Sequence, residues 1–396
     1  MIRIRTLDSL AISQGTRVFY RVDYNVPIDA GTISDATRIE ETLPTLRRLL
    51  QSGAAVIVAA HLGRPKGKRS EKDSLAPVRA RLAELLGTKV EWAADCVGEA
   101  TETQASALAP GHVLLLENLR FHAGEETNDP AFAAQLRKLA DVYVNDAFGA
   151  CHRAHASIEA LPRLFPTAAT AGGLLLEREL TFLQQITNVS ERPFVALLGG
   201  AKIAGKIEPL EALVNLADTI LIGGGMANTF LAAEGVEMGG SLVDRESMDV
   251  ATRILNGRFR AGVKLPVDLV VGDDLKSPRL VETVAVSQGL SAAQKAFDIG
   301  PKTVTAYRTA LDGAKTVFWN GPMGVFEQPQ FAKGTMAMAQ AVANVDGVTV
   351  VGGGESVEAI KASGVAARIS HISTGGGASL EFISGAALPG VEVLKA

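Results

Sequence analysis

The groups best suited to handle phosphate in this chain are arginines at the ends of apolar runs and two closely spaced lysines. Arg21, Arg38, Arg64, Arg120 and Arg153 fall in the first half, and Lys202 and Lys206 lie in "LLGGAKIAGKIEPL" (197–210). A guanidinium grips two oxygens of a carboxylate or phosphate at once, whereas an ammonium is a compact point charge. A lone surface arginine is by default a salt bridge contributing about 0–1 kcal/mol. Position lifts these above that default, since four of the five arginines directly follow an apolar run or a turn. Asp23 and Asn25 in "RVDYN" suit substrate hydroxyls, or else cap a turn. His61 and Arg64 flank the turn in "HLGRP". His152 and His155 in "CHRAHAS" lack further ligands at metal spacing, so hydrogen-bonded histidines are expected there. No local motif brings a nucleophile to a base, and covalent catalysis has no support.

The second half offers bare backbone instead. Glycines at 199–200, 223–225, 352–354 and 375–377 each follow an apolar run. Such runs let N–H groups approach phosphate oxygens at a helix start. One run would be only a tight turn; four imply a polyphosphate or nucleotide site. From Gly200 the chain reads Gly-x-x-x-x-Gly-Lys, then Ile207 where a Walker A loop requires Ser or Thr. Lys202 and Lys206 would share one helical face if a helix begins at this turn. The dinucleotide pattern Gly-x-Gly-x-x-Gly is absent after the first apolar run, which weighs against a nicotinamide enzyme.

The elements that must position these groups follow from periodicity. Apolar runs at 17–25, 54–63, 112–120, 141–149, 193–202, 218–225, 268–274, 316–322, 347–355 and 369–377 alternate with helix-period segments such as 36–51. Near-continuous apolar strands between helices predict parallel sheets covered on both faces, with ligands beyond the strands' carboxyl ends. The expected fold is α/β, two doubly wound parallel-sheet (Rossmann-like) domains joined by an interdomain helix and hinge. The domains are expected over 1–172 and 190–380, with the helix over 173–189. With 396 residues, two domains are favoured over one core.

Composition excludes several classes. A net charge of -4 and 5% aromatic residues oppose nucleic-acid binding. The longest apolar runs are too short to cross a bilayer. Two cysteines, Cys96 and Cys151, give no disulfide framework, and with no signal-like N-terminus a cytoplasmic protein is expected. Residues 1–171 carry 15 Arg against 5 Lys, the remainder 9 Arg against 10 Lys. Two ligand sites of different chemistry follow.

The segments "RVDYNVP", "SDATRI", "HLGRP", "LLENLRF", "NDAFGACHRAHAS", "LGGAKIAGKI", "GGGMANTFL", "DIGPKT", "WNGPMGVFE", "GGGES" and "STGGGASLE" strongly resemble the phosphoglycerate kinases, in that family's order from about residue 17 to 390. The resemblance implies reversible phosphoryl transfer between 1,3-bisphosphoglycerate and magnesium ADP, giving 3-phosphoglycerate and ATP, in a monomer whose C-terminal segment, about 381–396, returns to the N-terminal domain. Carried over by motif, the glycerate site is Asp23, Tyr24, Asn25, Arg38, His61, Leu62, Gly63, Arg64, Arg120 and Arg153. The nucleotide site is Lys202, Lys206, Asn320, Glu327, Gly353, Gly354, Glu355 and Ser356. Arg38, Lys202, Lys206, Gly376 and Gly377 would face the transferred phosphoryl, and Glu355 would hold Mg2+. Glu355 replaces the family's commoner Asp, and Ala204-Gly205 its commoner Ser-Asp. Two other readings stay open: a small-molecule kinase using residues 200–206 as a degenerate phosphate loop, and a hinged binding protein without turnover.

Overall fold

Apolar runs without alternation become strands here because both faces of each main sheet are covered. The computed structural model describes residues 2–29, 31–257 and 262–396. It divides into two compact units, Met1–Thr181 with Ala387–Ala396, and Phe182–Ala386.

The first unit is built on six strands: β1 (Arg17–Val22), β2 (Ala55–Ala59), β3 (Val90–Ala93), β4 (Val113–Leu116), β5 (Val142–Asp146) and β6 (Thr170–Gly172). Their order is β3-β4-β2-β1-β5-β6, and every pairing is parallel. Val18, Tyr20, Val56, Val58, Val113, Leu115 and Val144 form one buried core. The chain leaves β1 toward one edge and β5 toward the other, which opens a crevice past their carboxyl ends. The segment 36–51 forms two helices, α1 (Thr37–Glu40) and α2 (Leu43–Gln51), where periodicity predicts one. Pro44 lies in the first turn of α2; its missing N–H and its ring are incompatible with a helix running through it.

Residues 387–396 pack on this first unit. Leu394 O accepts from Arg5 N at 2.9 Å, and Arg3 O accepts from Ala396 N at 3.1 Å. Helix α3 (Leu174–Thr187) crosses the boundary between the units. Its N-terminal N–H groups are satisfied from the first unit: Leu174 N donates to Thr45 Oγ1 and Leu176 N to Asp146 Oδ1, both at 2.9 Å. Tyr20 donates its hydroxyl to the other Asp146 oxygen at 2.7 Å.

The second unit contains β7 (Phe194–Leu198), β8 (Thr219–Ile222), β9 (Val263–Lys264), β10 (Asp268–Gly272), β11 (Val281–Ala285), β12 (Lys295–Ile299), β13 (Thr316–Asn320), β14 (Val348–Gly352) and β15 (His371–Ile372). Six of these form a parallel sheet in the order β9-β8-β7-β13-β14-β15. The remaining three form a small antiparallel sheet, β11-β10-β12. The run 268–274, expected among the parallel strands, belongs to this second sheet. The connections around it are too short for a parallel crossover, which needs a dozen residues or more. Helices α4 (Ile207–Leu216), α5 (Gly224–Ala233), α6 (Lys333–Ala343), α7 (Gly354–Ala362) and α8 (Gly377–Ile383) follow the strands. The switch point here lies between β7 and β13, so the glycines after β7 meet the turn after β13.

Candidate active site

In the first unit the strand ends gather charge. Asp23, 8% exposed just beyond β1, accepts from Arg38 NH1 at 2.9 Å, and its other oxygen accepts from Asn25 N at 3.1 Å. Burial alone would raise the Asp23 carboxyl, but Arg38 and the Asn25 N–H outweigh it and hold the group below the usual carboxylate range. Asn25 Oδ1 accepts from Gly63 N at 2.9 Å, tying the "RVDYN" turn to "HLGRP". Gly63 sits at φ +63, a conformation that favours glycine, and a Cβ there would lie 2.3 Å from Asp73 Oδ1 and push that side chain aside. Arg120 donates to Gly63 O at 2.9 Å, and its buried Nε has no hydrogen-bond partner among the described residues. Burial and the neighbouring Arg21 lower the Arg120 pKa.

Protonation of His61 and His155 is disfavoured. Burial first, with Arg21, Arg120 and Arg38 nearby, pushes His61 well below its ordinary value despite Asp23. Burial and Arg120 likewise push His155 down to about 3. Arg64 and Arg153 stand exposed at the rim, Arg153 Nε pairing with His152 Nε2 at 3.0 Å. The whole is an electropositive cluster at the strand ends, with no activated nucleophile among the described residues. Cys151, the nearest thiol, is fully buried and pushed up to about 12.

In the second unit, bare backbone lines the strand ends. Gly199 and Gly321 approach so closely that a Cβ on Gly199 would lie 2.1 Å from Pro322 O. Beside them is a cavity of about 710 Å3, walled by Gly200, Gly225, Leu242, Val325, Glu327 and Glu355 among others. Glycine and apolar walls with a few polar groups at one end suit a flat heterocycle carrying phosphates. Lys206 Nζ donates to Gly199 O at 3.1 Å; burial lowers its pKa and the Glu355 carboxylate raises it in part. Lys202 is exposed. Asn320, 2% exposed, lies against Gly353 with its Nδ2 unpartnered among the described residues. Such a buried donor is costly unless a ligand fills it. Gly353, at φ +91, precedes α7, whose first residues are Gly354, Glu355 and Ser356. Gly376 and Gly377 begin α8 after β15, an edge strand of the same sheet.

The side chains of three expected residues make contacts within the protein. Tyr24 points into the core, fully buried with its hydroxyl 2.9 Å from Thr42 Oγ1, so its side chain is absent from the cleft. Leu62 is buried and Ser356 is spent on structure, accepting from Gly321 N at 2.5 Å. Lys202 and Lys206 do not share a helical face, because α4 starts only at Ile207. Gly205, at φ +78, and Asp244, which accepts from Ile203 N and Ala204 N at 3.1 and 3.0 Å, hold the intervening residues in a turn.

Sequence reasoning passed over Asn118 and Asp298. Asn118 clamps Leu62 from both sides, donating to its carbonyl at 2.7 Å and accepting from its N–H at 3.3 Å. Asp298 lines the cavity, accepting from Gly334 N at 2.6 Å and Ile299 N at 2.9 Å, while burial raises its carboxyl to about 7. Asn118 sits in the polar tail of the run 112–120, the signal that singled out the other residues, whereas Asp298 lies within β12 and carried no such signal.

Two doubly wound units, one with a cationic cleft lacking a nucleophile and one with a glycine-lined nucleotide-sized cavity, define a two-domain small-molecule kinase. The chain belongs to the phosphoglycerate kinase family, whose sequence profile matches residues 7–386. It is similar to the phosphoglycerate kinase of Moorella thermoacetica, 54% identical over 391 residues and 98% of both chains, and to that of Desulforudis audaxviator, 52% identical over 386 residues and 96% of both. Among solved structures, phosphoglycerate kinase from Coxiella burnetii superposes with a TM-score of 0.87 at 35% identity over 99% of each chain. That from Pyrococcus horikoshii gives 0.87 at 33% identity over 100% of this chain and 98% of the other. The activity is therefore that of a nucleotide-using phosphotransferase, a phosphoglycerate kinase.

Proposed function

We propose that the cleft of the first unit binds 1,3-bisphosphoglycerate or 3-phosphoglycerate, that the cavity of the second binds ADP or ATP, and that the phosphoryl group passes directly between them. The observation carrying this reading is a cluster of cationic donors with no nucleophile–base pair among the described residues. Direct transfer requires none: a terminal ADP oxygen forms the new P–O bond as the acyl P–O bond breaks and the carboxylate leaves. Catalysis then reduces to alignment and charge neutralisation. Arg38, pre-aimed by Asp23, faces the transferring phosphoryl; His61, Arg64, Arg120 and Arg153 hold the glycerate and its stable phosphate. Lys206 and Lys202 meet the nucleotide phosphates, Asn320 donates its unpartnered amide, and Glu327 meets the ribose. Gly376 and Gly377 offer N–H donors to the phosphoryl.

Glu355 fits a magnesium ion carried by the nucleotide. It is an exposed carboxylate on the cavity wall facing Lys206, and Mg2+ typically takes one or two carboxylates together with phosphate oxygens and waters. Bound there, the ion supplies neutralisation of phosphate charge. A cytoplasmic monomer is the family-level expectation; no described helix is long and apolar enough to cross a membrane.

The test is a coupled assay of ATP formation from 1,3-bisphosphoglycerate and MgADP. Arg38→Ala should lower kcat by about 10²–10³-fold, the cost of removing one oxyanion-type donor, with KM for ADP unchanged. A degenerate phosphate loop acting alone would leave that variant fully active. Wild-type binding without turnover would instead favour a hinged binding protein.

A further inference from the structure

Behind the cleft lies a chain of buried polar groups for which phosphate binding gives no account. Glu125, with no exposed surface, accepts from Ser157 twice: from its N–H at 2.9 Å and from its hydroxyl at 2.6 Å. Having given its proton to Glu125, the Ser157 oxygen accepts from Arg21 Nε at 2.8 Å. Arg21 is also fully buried; one terminal nitrogen donates to Val22 O and the other lies 3.3 Å from His61 Nδ1 and 3.8 Å from Glu125 Oε1. Each link has one polarity only. A guanidinium has five donors and no acceptor and does not deprotonate in proteins, so the nitrogen it faces must be an acceptor.

We infer that Glu125 and Ser157 are positioning residues that act through Arg21 to lock His61 in the tautomer with Nδ1 bare and the proton on Nε2. That Nε2 lies 3.9 Å from Asp23 Oδ1, at the cleft, where it presents an N–H donor to a substrate oxygen. A neutral imidazole free to choose would present a lone pair part of the time and repel a carboxylate or phosphate oxygen. Glu125 also balances the Arg21 charge, which would otherwise be buried uncompensated. The consequence for turnover rests on the glycerate site proposed above; the tautomer itself does not.

The test separates the two. The His61 imidazole is observed by 15N NMR at neutral pH, its signals assigned by their loss in His61→Gln. Wild type should show the Nε2–H tautomer. Ser157→Ala and Glu125→Gln should shift the ring toward Nδ1–H or fast exchange. Both should raise KM for 3-phosphoglycerate about tenfold, the worth of a hydrogen bond to a charged group, with KM for ATP unchanged. A purely structural role would lower the thermal midpoint without moving the tautomer. The inference is overturned if wild-type His61 carries its proton on Nδ1 or is an imidazolium. It is equally overturned if a folded variant keeps both the tautomer and KM. An intact tautomer response in a protein inactive on 3-phosphoglycerate would sink the proposed substrate and leave the relay standing.

Discussion

His155 shows what burial among cations does to a single group. It is 6% exposed, and its imidazole refuses a proton until about pH 3, while the unfolded chain takes one near the ordinary value of 6.5. Between those values the unfolded state binds more protons at this site, so the contribution of His155 to stability falls as pH drops below about 6.5, opposed by the buried Asp298 and Asp146 carboxyls, raised to about 7 and about 6, which take up their protons in the folded state first. His61 acts in the same direction as His155. Measured from pH 7.5 to 5, the urea midpoint of His155→Gln should gain on that of wild type as the pH falls; a difference that stays constant would refute the assignment. Glu355 makes a second residue-scale case. The extra methylene moves its carboxylate by about a bond length against an ion that demands near-octahedral ligands. Glu355→Asp should change the affinity for Mg2+ with nucleotide present, read by calorimetric titration; an unchanged affinity would show that the extra methylene is immaterial.

The strand-to-helix turns follow rules of their own. At the switch point of the second sheet, Gly199 packs against Pro322 O at a distance no Cβ tolerates. Gly199→Ala must separate β7 from the turn after β13, costing about 1–3 kcal/mol by overpacking and raising KM for ADP. Kinetics with both substrates should show KM for the glycerate unaffected, because the residues proposed to bind it belong to the other unit. The turn at 200–206 illustrates how near-miss patterns arise. Gly205 matches a phosphate-loop signature in sequence, yet in the fold it supplies a positive φ that stops a helix forming before Ile207.

Over the molecule as a whole, the chain ends complete one unit. Residues 387–396 belong with Met1–Thr181, held by main-chain bonds to Arg3 and Arg5 and by Gly390 packed on Cys151. Removing them should raise amide exchange throughout the first unit and leave Phe182–Ala386 protected; uniform exchange across both would show that the tail has no such selective role. If transfer is direct, ligands on separate units must also meet. The radius of gyration from solution scattering should then fall only when 3-phosphoglycerate and nucleotide are present together.

Local chemistry announced itself in the sequence because it depends on residue type and short spacing. Apolar runs without alternation implied buried parallel strands, and their tails carry Asp23, His61, Arg64, Arg120 and the glycine runs, the groups to which the proposed sites are assigned. Other features needed contacts between residues far apart in the chain. Only packing shows that Tyr24 faces Thr42 instead of the cleft, that 268–272 leaves the parallel sheet for a neighbouring one, and that Ser157 and Glu125 stand behind Arg21. A side chain's orientation depends on which distant segment shields it from water, and its protonation on which distant charges share that shelter. Neither quantity is carried by spacing along the chain.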